Sequence, residues 1–204
     1  VALYEGGIDK KGLHTLISEI VKAEGAGLRM SFPDSQDMVD EVLQSLAEKK
    51  DPTIRYDAIK LLNKVREKKD HLGFDKTLIR EQIINEIDDY LKSMMIHMLH
   101  QSMVSRDESN TENKDFLALA LKNILHESLE RIFRLLSLIY SPVDCALIFE
   151  GLFDDNIYVR ANALELFDEL VDSRLKHKLL PILDGEMSIF GKGRAGYFTT
   201  KMKI

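Results

Sequence analysis

The chain has 204 residues, 45% hydrophobic and 30% charged, with 11 Gly, 4 Pro, one Cys and no Trp. A chain of this length buries roughly 70% of its unfolded surface and needs no metal or disulfide to hold a core. The lone Cys145 closes no intrachain disulfide, which excludes a secreted disulfide scaffold and fits a reducing compartment. The apolar runs, such as Phe116–Leu121 and Leu135–Tyr140, fall far short of the ~18 residues of a membrane helix. Thirty-four acids against 28 bases, net −6, disfavour nucleic acid as a partner.

Sparse Gly and Pro with abundant Leu, Ile, Lys and Glu predict an all-α protein. Val1–Gly7 carries no basic or apolar targeting pattern, and the chain reads as an excised segment of a longer protein. The first helix is expected over Ile8–Ala23, on the spacing of Leu13, Leu16, Ile17, Ile20 and Val21, and it ends at Gly25 and Gly27. Arg29–Asp34 is a loop. Asp34 or Ser35 then caps a helix whose buried stripe is Met38, Val39, Val42, Leu43 and Leu46. Asp51-Pro52 starts the next helix, with Asp as N-cap and Pro where its missing N–H costs nothing; its face is Ile54, Ala58, Leu61, Leu62 and Val65.

Phe74 to Met103 contains no Gly or Pro and predicts one helix of about 45 Å, which must lie along something equally long. Polar Ser105–Lys114 is the best loop, and Asp115–Tyr140 is helical again. Its apolar positions are Phe116, Leu119, Ala120, Ile124, Leu129, Ile132, Phe133, Leu136 and Ile139. Ser141-Pro142 stops it. Helices over Val143–Leu152, Ile157–Val171 and about Leu175–Leu183 complete a single domain, 1–186, and 187–204 forms a tail.

At a lag of 105 residues, Val42–Leu62 lies ungapped over Leu147–Phe167, matching Arg55 with Arg160, Ala58 with Ala163 and Leu61 with Leu166. Both copies run short helix, turn with Asp or Asn, Ile or Val, Arg, two residues, then Ala. That layout is a helical hairpin that leaves one face for a neighbour.

Through Asp51-Pro52-Thr53-Ile54-Arg55-Tyr56-Asp57-Ala58 and Asp155-Asn156-Ile157-Tyr158-Val159-Arg160-Ala161-Asn162-Ala163 the sequence resembles the HEAT-repeat family. The resemblance implies a HEAT-like solenoid with a long central helical pair. It implies repeat-stacking roles for Asp51, Arg55, Ala58, Asn156, Arg160 and Ala163: the small Ala lets helices approach, and the Arg reaches a carboxylate or carbonyl of the adjoining turn. Asn156 departs from the pattern where Asp51 keeps it. A narrower likeness rests on Leu129–Pro142 continuing into Arg160–Leu166, together with Ile54–Lys60 and Phe74-Asp75. These look like the soluble HEAT-repeat regions attached to bacterial membrane proteins related to ATP/ADP translocases and the major facilitator group. It implies the cytosolic portion of a transporter-like protein, with no nucleotide-binding residue carried over.

Several constellations could carry chemistry. Gly191–Gly196 spells G-x-G-x-x-G, but the phosphate reading needs a strand before it and a helix after it, and only eight residues follow. Met94-Met95-Ile96-His97-Met98-Leu99-His100 is the most metal-like stretch, yet two histidines at i and i+3 fall short of a ligand set, and Met at helical spacing is ordinarily core. His126 with Glu130, and Glu86 with Asp88-Asp89, suit acid–base work if buried, although solvated helix pairs are commoner. Cys145 at a helix start reads as a buried structural thiol. Lys64, Arg66, Lys68 and Lys69, interleaved with Glu67 and Asp70, read as a solvated helix end.

The expectation is therefore a cytoplasmic, non-enzymatic interaction or regulatory module with a protein partner, no cofactor and no metal, continuous with a membrane domain. The alternatives are a helical enzyme acting on nucleic acid and a metal-binding bundle.

Overall fold

A computed structural model describes residues 36–48, 51–68, 71–104 and 111–189. The helix over Ile8–Ala23, the caps at Asp34 and Ser35, Lys69 and the glycine motif at Gly191–Gly196 lie outside the described residues. Those residues are all-α and form seven helices: α1 Gln36–Glu48, α2 Pro52–Lys68, α3 Lys76–Val104, α4 Thr111–Ile139, α5 Pro142–Leu152, α6 Ile157–Leu170 and α7 Ser173–Ile189. No described helix is long and apolar enough to cross a membrane. The chain divides into two compact units, one through Gln82 and one from Ile83.

The first unit holds the α1–α2 hairpin. Val39, Val42, Leu43 and Leu46 of α1 are buried, as are Ala58, Ile59, Leu61, Leu62 and Val65 of α2. Asp51 Oδ1 accepts from Thr53 N at 2.9 Å, so the expected cap starts α2. Ahead of α3, the Gln36 side chain clasps Gly73 by donating from Nε2 to the carbonyl at 2.8 Å and accepting at Oε1 from its N–H at 2.9 Å. Asp75 then caps α3, its Oδ1 accepting from Thr77 N at 2.7 Å and Leu78 N at 3.2 Å.

The second unit is built around α4. α3 and α4 are each 29 residues long. They run antiparallel: Arg131 Nε donates to Glu86 Oε2 at 2.9 Å, while further along α3 the charge of Lys122, earlier on α4, reaches His97. From Ser128 to Leu138 every residue of α4 but the half-buried Arg134 is buried. Leu129, Ile132, Phe133, Leu135, Leu136 and Leu138 are all buried, and Phe133 meets Phe149 of α5 at 5.3 Å and Phe167 of α6 at 6.3 Å. Ser141 caps α5 by accepting from Asp144 N at 3.3 Å, with Pro142 in the first turn. Tyr140 Oη donates to Asp172 Oδ2 at 2.7 Å and ties the end of α4 to the start of α7.

Three boundaries differ from expectation. α4 begins at Thr111, four residues before the predicted start, because polarity alone does not stop a helix and Thr111–Lys114 contain neither Gly nor Pro. α7 runs from Ser173 through Pro181 to Ile189, past both the expected end and the predicted start of the tail. An interior Pro removes one backbone bond without necessarily ending a helix, and after Gly185 the next Gly is Gly191. Of the apolar positions of α4, Leu129, Ile132, Phe133 and Leu136 are buried, whereas Phe116, Leu119 and Ile124 are exposed.

Candidate functional site

The hairpin positions singled out from the repeat behave alike in the two copies. Asn156 Oδ1 accepts from Tyr158 N at 2.9 Å, the same bond to the second residue on that Asp51 makes to Thr53. The departure from Asp to Asn therefore leaves the cap intact, because an amide oxygen accepts the bond as a carboxylate does. Arg55 N and Arg160 N each donate 3.1 Å to the carbonyls of Asp51 and Asn156. The Arg160 guanidinium donates from Nη1 to the Asp154 carbonyl in the turn before α6.

Ala58 and Ala163 are both buried. In the α5–α6 hairpin the reason is steric: a Cβ built on Gly151 would sit 2.8 Å from the Ala163 Cβ, so both positions must be small for the helices to cross there. The first copy carries Leu46 where the second has Gly151.

The most distinctive polar cluster is one the sequence did not single out as a unit. Along the α3–α4 seam, Glu86 and Arg131 form a buried ion pair, and Arg131 Nη2 donates to Ser128 Oγ at 2.8 Å. One turn on, Arg134 donates to Glu130 Oε1 from Nε at 2.9 Å and from Nη2 at 2.8 Å. Removal from water makes such pairs depend on one another. His126 packs its ring against Phe149 and Phe153, with centroids 5.5 and 4.9 Å away. His126 and Glu130 are thus buried rather than solvated: an aromatic wall surrounds one, and a guanidinium binds the carboxylate of the other. Asp88 is exposed and Asp89 pairs with Lys92 at 2.9 Å. The sequence signal for this network was present: Glu130, Arg131 and Arg134 interrupt a run that is apolar on all helical faces.

Further along the seam lies His97, fully covered, with neither ring nitrogen hydrogen-bonded. Burial pushes its pKa below the ordinary imidazole range, and the positive charge of Lys122 and the neighbouring His100 push it the same way. A nearby ammonium makes this a poor cation site, and among the described residues no three His, Cys, Asp or Glu side chains converge as a ligand set. Cys145 is buried in α5, as expected for a structural thiol. Lys64 and Arg66 are half-buried and Lys68 exposed at the end of α2.

Comparison of the chain with protein-family models, with curated proteins and with solved structures finds no match.

Proposed function

We propose that this chain is a non-catalytic protein-interaction or regulatory module of HEAT-like helical repeats, the cytosolic part of a larger transporter-like bacterial membrane protein. The observation that carries the reading is the recurrence, 105 residues apart, of a hairpin with the same cap-to-second-residue bond, the same arginine and the same buried alanine. Hairpins of this kind bury one helix face and leave the other as binding surface when they stack. In the second copy that surface holds Tyr158, Asn162, Glu165, Asp168 and Glu169 on the exposed side of α6, with Tyr158 77% exposed. An aromatic anchor beside carboxylates suits a protein partner with a basic rim around an apolar pocket.

The test is a photo-crosslinking residue at Tyr158 in cells, read by mass spectrometry. A discrete protein adduct that Glu165→Lys with Glu169→Lys abolishes supports the module. Failure to form any adduct, with measured turnover on a substrate, overturns it. The membrane connection is read from the coding sequence upstream of Val1, where apolar segments of about 20 residues are expected.

A further inference from the structure

Between Lys92 and the end of α3 at Val104 there is no Asp, Glu, Lys or Arg. One face, with Tyr90 and His97, is buried. On the opposite face Leu91, Met95 and Leu99 recur every fourth residue with Met98 beside them, and Ile96 and Met103 flank them; these six side chains are 43–70% exposed. On α4, Phe116, Leu117, Leu119 and Ile124 add four more that are 40–76% exposed. Large apolar side chains left in water in such number mark a surface that takes a partner.

We infer that this outer end of the α3–α4 pair is a homodimer interface, in which a second copy of the chain docks its own pair to complete a four-helix bundle. Three arguments favour a second copy. Ten large apolar side chains that are 40–76% exposed exceed the singly scattered apolar residues of an ordinary monomer surface, and a stable interface needs about 800 Å² per partner. The charge-free stretch of α3 is where two copies, each of net charge −6, can meet without like-charge repulsion, and it carries no charge pattern that would select a different sequence. A helix lying on a lipid surface needs a basic polar face opposite its apolar one, whereas the opposite face of α3 is packed against its neighbour. A two-fold arrangement satisfies both copies with one patch. This surface is separate from the α6 face, so the two readings stand or fall independently.

The experiment is sedimentation equilibrium on the full 204-residue chain from low to high micromolar concentration, for the wild type, Met95→Glu, Leu99→Glu and a control, Val143→Glu, on the exposed face of α5. The wild type is expected to approach twice the chain mass, with the control unchanged. Each α3 variant is expected to weaken the dimer at least about tenfold while keeping the wild-type circular dichroism, since the replaced side chains touch water rather than core. A wild-type chain that stays at single-chain mass at high micromolar concentration overturns the inference, including a monomer that binds phosphatidylcholine vesicles instead. Folded α3 variants that dimerise as the wild type also overturn it. If a variant fails to fold, the wild-type mass alone decides.

Discussion

Phe133 and Phe116 lie on the same face-counting scheme of one helix, and their surroundings are opposite: the first is 0% exposed and the second 76%. Around Phe133, α5 and α6 close over α4, aromatic rings interlock, and even the charged residues are enclosed in pairs. Around Phe116 the same helix continues with similar composition, and no described residue encloses the ring. The difference shows that apolar periodicity records which face of a helix wants a neighbour, and says nothing of whether the same chain supplies it.

The cover at the enclosed end depends on the close crossing of α5 and α6. Ala163→Asp puts a charge against Gly151 where no room or partner exists, and it is expected to lower the melting temperature by at least about 10 °C. A thermal melt within about 1 °C of the parent would show that the crossing does not support that end of α4.

The buried pair of the enclosed end comes next in size. Arg131→Met leaves the Glu86 carboxylate buried without its cation and is expected to cost about 3–5 kcal/mol in chemical denaturation. Glu86→Leu combined with Arg131→Met is expected to recover most of that loss, because the penalty belongs to the orphaned charge. Equal destabilisation of the single and double variants would show the pair to be stabilising in its own right.

Between the two ends, His97 gives the comparison a pH dependence. Its pKa is lowered in the folded chain, so at pH values between that lowered value and about 6.5 the unfolded chain holds more protons. The associated stability is complete above about pH 6.5 and declines as the pH falls through it. His97→Leu removes an imidazole with no hydrogen bond and is expected to add about 1 kcal/mol near neutral pH. The variant's advantage over the wild type should grow as the pH falls below about 6.5. Parallel stability curves for the two proteins over that range would rule out the buried imidazole as the source.

Local chemistry was the most legible part of the sequence. Asp51-Pro52 announced its helix start because a cap is decided within three residues, and Ser141-Pro142, read as the stop of one helix, also caps the next, as Asn156 caps α6. Ala58 and Ala163, matched at the lag and given a packing role only by the family resemblance, are both buried. The Glu86–Arg131 pair could not be read in the same way: its partners are 45 residues apart and meet only because α3 and α4 run antiparallel. His126 and Glu130 looked like a solvated pair because i, i+4 spacing on a helix is the same in water and in a core. Phe116, Leu119 and Ile124 are apolar at helical spacing like the buried positions further along α4, and whether such a position is covered lies beyond any pattern within the helix.

The smallest expected effect tests the open end most directly. Phe116→Ser removes a large ring from water rather than from packing, so under monomer conditions it is expected to change unfolding free energy by no more than about 0.5 kcal/mol. The same truncation at Phe133 empties a site lined by Phe149 and Phe167 and is expected to cost about 3–5 kcal/mol. If the outer end of α4 is covered in an assembly, the Phe116→Ser penalty becomes concentration-dependent, because the lost burial then belongs to the associated state. Denaturation at two protein concentrations separates the cases. A large, concentration-independent loss would mean that Phe116 is buried within its own chain and that the contrast between the two ends of α4 does not exist in solution.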